Sequence, residues 1–240
     1  MTYHPYTIFP LGDHALTIEF GNVVDPVVNQ KVLRLCRQIK KKNISYLTDL
    51  VPAYSSLTLH YDLAALYKEK PKDKTAFETL AGLVGSLGWD EEENAMPDQR
   101  LLEIPVCYDA EFGPDLEMMA REKGLSREEM VRLHTERQYR IYMIGFLPGF
   151  AYMGRVNERI RHPRRGQPRQ WVAAGSVGIA GIQTGIYPLE SPGGWNIIGR
   201  TPVKLFDPQK EEPVFFQTGD EIKFYSITRD EFENYQGWTA

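Results

Sequence analysis

The sequence predicts two domains of different architecture: an α+β domain with a ferredoxin-like order of elements over residues 1–97, then a β-rich domain, barrel or sandwich, over residues 98–240. Three observations predict this. The hydrophobic pattern of the first hundred residues switches between the strand period and the helix period. The acidic, proline-ended stretch from Asp90 to Pro97 reads as an exposed linker. Beyond Tyr139, glycine, proline, aromatic and β-branched residues crowd between short strand candidates.

The elements follow in order. His14 to Phe20 alternates apolar and polar positions, as a half-buried strand does. Asp25-Pro26 supplies a cap and a first-turn proline. Val28, Val32, Leu35, Cys36 and Ile39 then recur at helical spacing until Lys40-Lys41-Lys42-Asn43, whose charge suits the negative end of the helix dipole. Two strands are expected at Ser45–Val51 and Ser56–Tyr61, and a helix at Thr75–Leu87 with Phe77, Leu80, Leu83, Val84 and Leu87 on one stripe. A strand at Leu101–Val106 is available to close the first sheet. Two short helices follow, Pro114–Lys123 and Ser126–Gln138, with Gly124 as the stop of the first and Ser126-Arg127-Glu128-Glu129 as the capping box of the second.

Composition removes several classes of function. A net charge of -4 argues against a surface built to hold nucleic acid. No apolar run is long enough to span a membrane, and the start M-T-Y-H-P-Y lacks a basic segment followed by an apolar one, so a cytoplasmic protein is expected. Cys36 and Cys107 have no ligand-like spacing, which predicts neither a disulfide nor a bound metal.

Chemistry concentrates in three glycine-rich segments: Ile144 to Gly154, Ala174 to Pro188 and Ser191 to Pro202. Glycine lets a ligand approach the backbone, although a small barrel also needs glycine at its corners. Gly175 to Gly181 lacks the lysine and hydroxyl of a phosphate loop, so this chain alone is not expected to bind ATP. Nor is there a nucleophile elbow or a Cys-His arrangement, and His134 and His162 are lone histidines. What remains is a polar set in an aromatic setting: Ser176, Gln183, Thr184, Tyr187, Asn196, Arg200 and Thr201. Such a mixture suits a small amide or carboxylate ligand, and it equally suits satisfying the backbone of tight turns.

These segments, together with Leu11 to Leu16, Val51 to Leu57, Glu111 to Leu116, Leu205 to Pro208 and Gly219-Asp220, carry a resemblance. The chain resembles the family of 5-oxoprolinase B subunits, also called the allophanate hydrolase subunit 1 family, over nearly its whole length. The resemblance implies that the C-terminal domain is a cyclophilin-like β-barrel. It implies an assembly with 5-oxoprolinase subunits A and C that opens 5-oxoproline to L-glutamate using ATP, with C the immediate neighbour and this chain inactive alone. It favours Gln183, Tyr187 and Arg200 as substrate-binding residues, with Ser176 and Thr184 beside them and Phe146 and Phe150 as a wall. Because the family also holds an inhibitor of the sporulation sensor histidine kinase A, it implies an alternative role in which the chain binds that kinase and prevents its autophosphorylation. Prolyl isomerisation is not inferred, since a shared fold does not transfer a reaction.

Residues 155–169 hold six arginines against the single acid Glu158, in a chain that is otherwise acidic. Such a stretch suits a solvated loop without a partner, and it equally suits docking of Arg161, Arg164 and Arg165 on an acidic surface of a neighbouring subunit or of a histidine kinase, with salt-sensitive association rates.

Overall fold

A computed structural model describes residues 6–87 and 100–237. The chain divides into two compact units, Met1–Asp98 and Gln99–Ala240. The linker expected at Asp90–Pro97 lies outside the described residues.

The first unit contains β1 (Thr7–Pro10), β2 (Ala15–Glu19), α1 (Pro26–Lys41), β3 (Leu47–Pro52), β4 (Ser56–Tyr61), α2 (Leu63–Glu69) and α3 (Ala76–Gly85). Its sheet is antiparallel in the order β1-β2-β4-β3. Helix α1 starts where Asp25 accepts the N–H groups of Val27 and Val28. It buries Val32, Leu35 and Ile39 of the expected stripe, and Leu33 besides. Helix α3 opens with a reciprocal capping box between Thr75 and Glu78. Leu16, Ile18, Leu57 and Leu59, each at most 1% exposed, join these helices in one core. Burying each such side chain contributes about 1.5–3 kcal/mol.

The order of this sheet corrects the expected one. Leu101–Val106 does not close it; the edge beside β2 is taken by β1, from the start of the chain. Helix α2, capped by Asp62, is an element that the hydrophobic pattern did not single out.

The second unit begins with β5 (Leu101–Cys107), followed by α4 (Leu116–Lys123) and α5 (Arg127–Thr135). Then come β6 (Gln138–Ile144), β7 (Ala151–Gly154), a 3-10 turn at Glu158–Ile160, and β8 (Arg169–Val172). The chain continues through β9 (Ser176–Ala180), β10 (Gln183–Ile186), β11 (Ser191–Gly193), β12 (Asn196–Arg200), β13 (Glu221–Ile227) and α6 (Arg229–Glu233). Seven strands close a barrel in the order β10-β7-β6-β13-β5-β12-β9, while β8 and β11 form a separate ribbon. The strand expected to finish the first domain is thus a stave of the barrel, where it runs parallel to β13. Helix α5 ends at Thr135, three residues before the expected boundary, because Gln138 already belongs to β6.

Ile104, Val106, Ile141, Met153, Val177, Ile179, Ile198 and Phe224 fill the barrel core, together with Leu116 and Met119 of α4 and Met130 and Leu133 of α5. One corner requires glycine outright. Gly175 sits at φ +82°, and a Cβ there would stand 2.3 Å from the Thr201 carbonyl oxygen. Its own N–H donates to the Tyr187 carbonyl at 2.7 Å.

Candidate functional site

The β8–β11 ribbon borders two clefts of the barrel unit. The first encloses 220 Å³ and is walled by Phe146, Phe150, Tyr152, Tyr187 and Trp195, with Arg164 among its lining residues. Phe150 is the hub. It meets Phe146, Tyr187 and Trp195 edge-on, with centroids 5.6, 5.1 and 5.4 Å away, and Tyr152 at 4.7 Å. Such pairs contribute about 0.5–1.5 kcal/mol each beyond simple burial, so these rings form a firm wall.

The wall is shaped by backbone as well as by rings. Phe146 holds φ +72°, a region that costs a non-glycine residue roughly 1–2 kcal/mol, and its ring remains 64% exposed. Gly193 passes so close to Tyr187 that a Cβ would lie 2.5 Å from the phenol oxygen. The Arg164 guanidinium stands 5.9 Å from the Trp195 ring centroid, within cation–π range. Burial raises the hydroxyl pKa values of Tyr152 and Tyr187, and the charge of Arg164 acts in the opposite direction on both.

The second cleft encloses 300 Å³ and is lined by Glu111, Phe112, Arg169, Trp171, Ser176 and Arg200. Trp171 is 67% exposed. Arg200 donates from Nε to the Ala174 carbonyl at 2.7 Å, and its guanidinium lies 5.9 Å from the Phe232 ring centroid.

A buried carboxylate joins the arginine-rich loop to the barrel. Asp115, 3% exposed, accepts from Arg165 Nη1 at 2.8 Å, from Arg169 Nη1 and Nη2 at 2.7 Å each, and from the Ile197 N–H at 2.7 Å. Asn196 adds a bond from Nδ2 to the Pro163 carbonyl at 2.8 Å, and the Arg165 N–H donates to the Gly194 carbonyl at 2.9 Å. The loop that carries Arg164 is therefore tied down on both sides of it.

The expected single site divides in two. Phe146, Phe150 and Tyr187 come together in the first cleft, whereas Ser176 and Arg200 line the second. Gln183 begins β10, paired with Gly154 and Ala180, and lines neither cleft. Thr184 is fully buried: its hydroxyl donates to the Gly178 carbonyl at 3.0 Å and meets His134 Nε2 at 3.0 Å. Its role is structural, as are those of Asn196 and of Thr201, whose hydroxyl accepts the Val203 N–H.

The three docking arginines also separate. Arg165 is committed to Asp115, Arg161 pairs with the exposed Glu158 at 2.7 Å, and Arg164 lines the aromatic cleft. They do not act as one free basic face, because the fold supplies the missing acid from the start of α4. Sequence reasoning missed Asp115, Tyr152 and Trp195. The available signal was charge balance: arginines this dense with one local acid imply a carboxylate elsewhere.

His134 is a core histidine. The Thr184 hydroxyl, by donating to Gly178, is left to accept from His134 Nε2, so Nδ1 accepts the Tyr108 hydroxyl at 2.7 Å. Burial lowers its pKa to about 3, so it stays neutral.

The closed mixed barrel with its own helices defines a class. Residues 6–216 match the family described as carboxyltransferase domain, subdomain C and D, and the chain belongs to that family, on the branch formed by the B subunits of 5-oxoprolinase. It is 41% identical to the 5-oxoprolinase B subunit of Bacillus subtilis over 232 residues, covering 96% of this chain and 97% of that one. It is 35% identical to the 5-oxoprolinase B subunit of Escherichia coli O157:H7, covering 89% and 93%. Among solved structures, TTHA0988 aligns with a TM-score of 0.76 at 35% identity, over 92% of this chain and 40% of that longer one.

Proposed function

We propose that this chain is the B subunit of a 5-oxoprolinase, a non-autonomous part of an assembly with subunits A and C that opens 5-oxoproline to L-glutamate. The observation that carries this reading is end-to-end similarity: 41% identity extends over 96% of the chain and 97% of a 5-oxoprolinase B subunit. A relative that shared only one module would match a fragment.

The chemistry explains why one chain is not enough. A five-membered lactam resists water because its nitrogen lone pair is delocalised into the carbonyl. ATP supplies the drive: once the amide oxygen is phosphorylated, water adds to the carbonyl carbon and the C–N bond breaks with the nitrogen leaving as the amine, which opens the ring to γ-glutamyl phosphate. A second water hydrolyses this acyl phosphate to glutamate and phosphate. The sequence of this chain has no phosphate loop, so nucleotide handling falls to a partner in the assembly. The barrel contributes surfaces that bind and orient, namely a rigid aromatic cleft and a second cleft with an exposed tryptophan. Among the described residues no helix is long and apolar enough to cross a membrane.

The test is association with the partners. The purified chain should comigrate with the C subunit in size exclusion. The chain alone, incubated with ATP and 5-oxoproline, should form no glutamate. Turnover by the isolated chain, or failure to associate with either partner, would overturn the reading.

A further inference from the structure

The aromatic cleft sets five rings about one positive charge. Among the described residues no carboxylate pairs with Arg164, in contrast to Arg159, Arg161, Arg165 and Arg169 in the same stretch of chain. A guanidinium that the fold holds between two tethers without an acid of its own is a complement for a carboxylate brought by something else.

Volume limits what that is. At 220 Å³ the cleft lies below the roughly 300 Å³ at which drug-sized sites begin, so the guest is a small metabolite. The wall selects a flat or cyclic body, since Phe150 and Trp195 present faces and edges at right angles to each other. Tyr187 accepts the Trp195 backbone N–H and keeps its own proton to donate, which gives a second polar point suited to a carbonyl oxygen.

We propose that this cleft binds a small cyclic amide bearing one carboxylate, with the carboxylate on Arg164, the ring against Phe150 and Trp195, and the amide oxygen toward Tyr187. The proposal rests on the 5-oxoprolinase reading in that 5-oxoproline has this chemistry. Asp115 is then a positioning residue, because it holds Arg165 and Arg169, which follow Arg164 in the chain, while Asn196 holds the Pro163 carbonyl just before it.

Two measurements separate this proposal from the reading beneath it. In the three-subunit assembly, Arg164→Gln should raise the KM for 5-oxoproline about tenfold, the scale of one charge-assisted bond at a partly exposed site, with kcat changed less than about twofold. Arg164→Lys should recover part of the loss. An unchanged KM, or a fall confined to kcat, overturns the cleft assignment and leaves the proposed function standing. Calorimetry on the full chain alone should show binding of L-5-oxoproline, loss of it in Arg164→Gln, and none for 2-pyrrolidinone, which has the lactam without the carboxylate. No binding by the wild-type chain, or tighter binding of N-acetyl-Ala-Pro-amide, overturns the proposal even if the assembly proves inactive.

Discussion

Replacing Asp115 by asparagine tests the clamp that shapes the candidate site. The carboxylate accepts four hydrogen bonds, three of them from two arginines, at 2.7–2.8 Å. Asparagine keeps one acceptor oxygen and turns an amide NH2 group toward a guanidinium, so about two charge-assisted bonds are lost together with the neutralising charge. Each is worth roughly 1.5–3 kcal/mol in a buried setting. The arginine side chains are 32% and 25% exposed, so water screens part of the loss, and the expected destabilisation is about 2–4 kcal/mol. For a domain of this size that lowers the Tm of the barrel by about 4–16 °C. Urea unfolding followed by near-ultraviolet circular dichroism measures it. Arg159→Ser serves as the control, because Arg159 pairs with Glu129 while 53% exposed and should cost no more than about 1 kcal/mol. A loss below about 1 kcal/mol for Asp115→Asn, or one equal to the control, would refute the clamp.

Two further predictions concern the barrel. His134 has its pKa lowered to about 3 by burial, whereas the unfolded chain titrates it near 6.5, so the unfolded state gains the proton first as pH falls. Stability is therefore lost below pH 6.5, by about 2 kcal/mol at pH 5, and His134→Gln should flatten the stability profile between pH 6.5 and 5; parallel profiles would refute this. Gly175→Ala places a Cβ 2.3 Å from the Thr201 carbonyl at φ +82° and should cost about 3 kcal/mol or more, whereas Gly181→Ala, at φ +61° in open space, should cost only about 1 kcal/mol. Equal losses in urea titration would contradict the packing argument.

How much was legible in the sequence depended on the range of the interaction. Helices α1, α3 and α4 were readable because their signals lie within a few turns of the chain: Asp25 with Pro26, the apolar stripe from Phe77 to Leu87, and Gly124 as a stop. The destination of Leu101–Cys107 was not, since a strand is assigned to a sheet by its partner, and that partner is Glu221–Ile227 at the far end of the chain. The site was legible in the same partial way. Phe146 and Phe150 lie close in sequence and share a cleft with Tyr187, but Arg200 and Ser176, read as their neighbours, face the second cleft. Arg164 and Arg165 are adjacent in sequence and differ in environment: one lines a cleft, and the other is bound by an aspartate fifty positions away. Only the barrel's closure decides between them.

The most direct test of the proposed function is glutamate formation from 5-oxoproline and ATP by subunits A and C, measured with and without this chain. Glutamate should accumulate with ATP consumption only when all three are present. Equal rates without this chain, or no glutamate from the complete mixture, would contradict it.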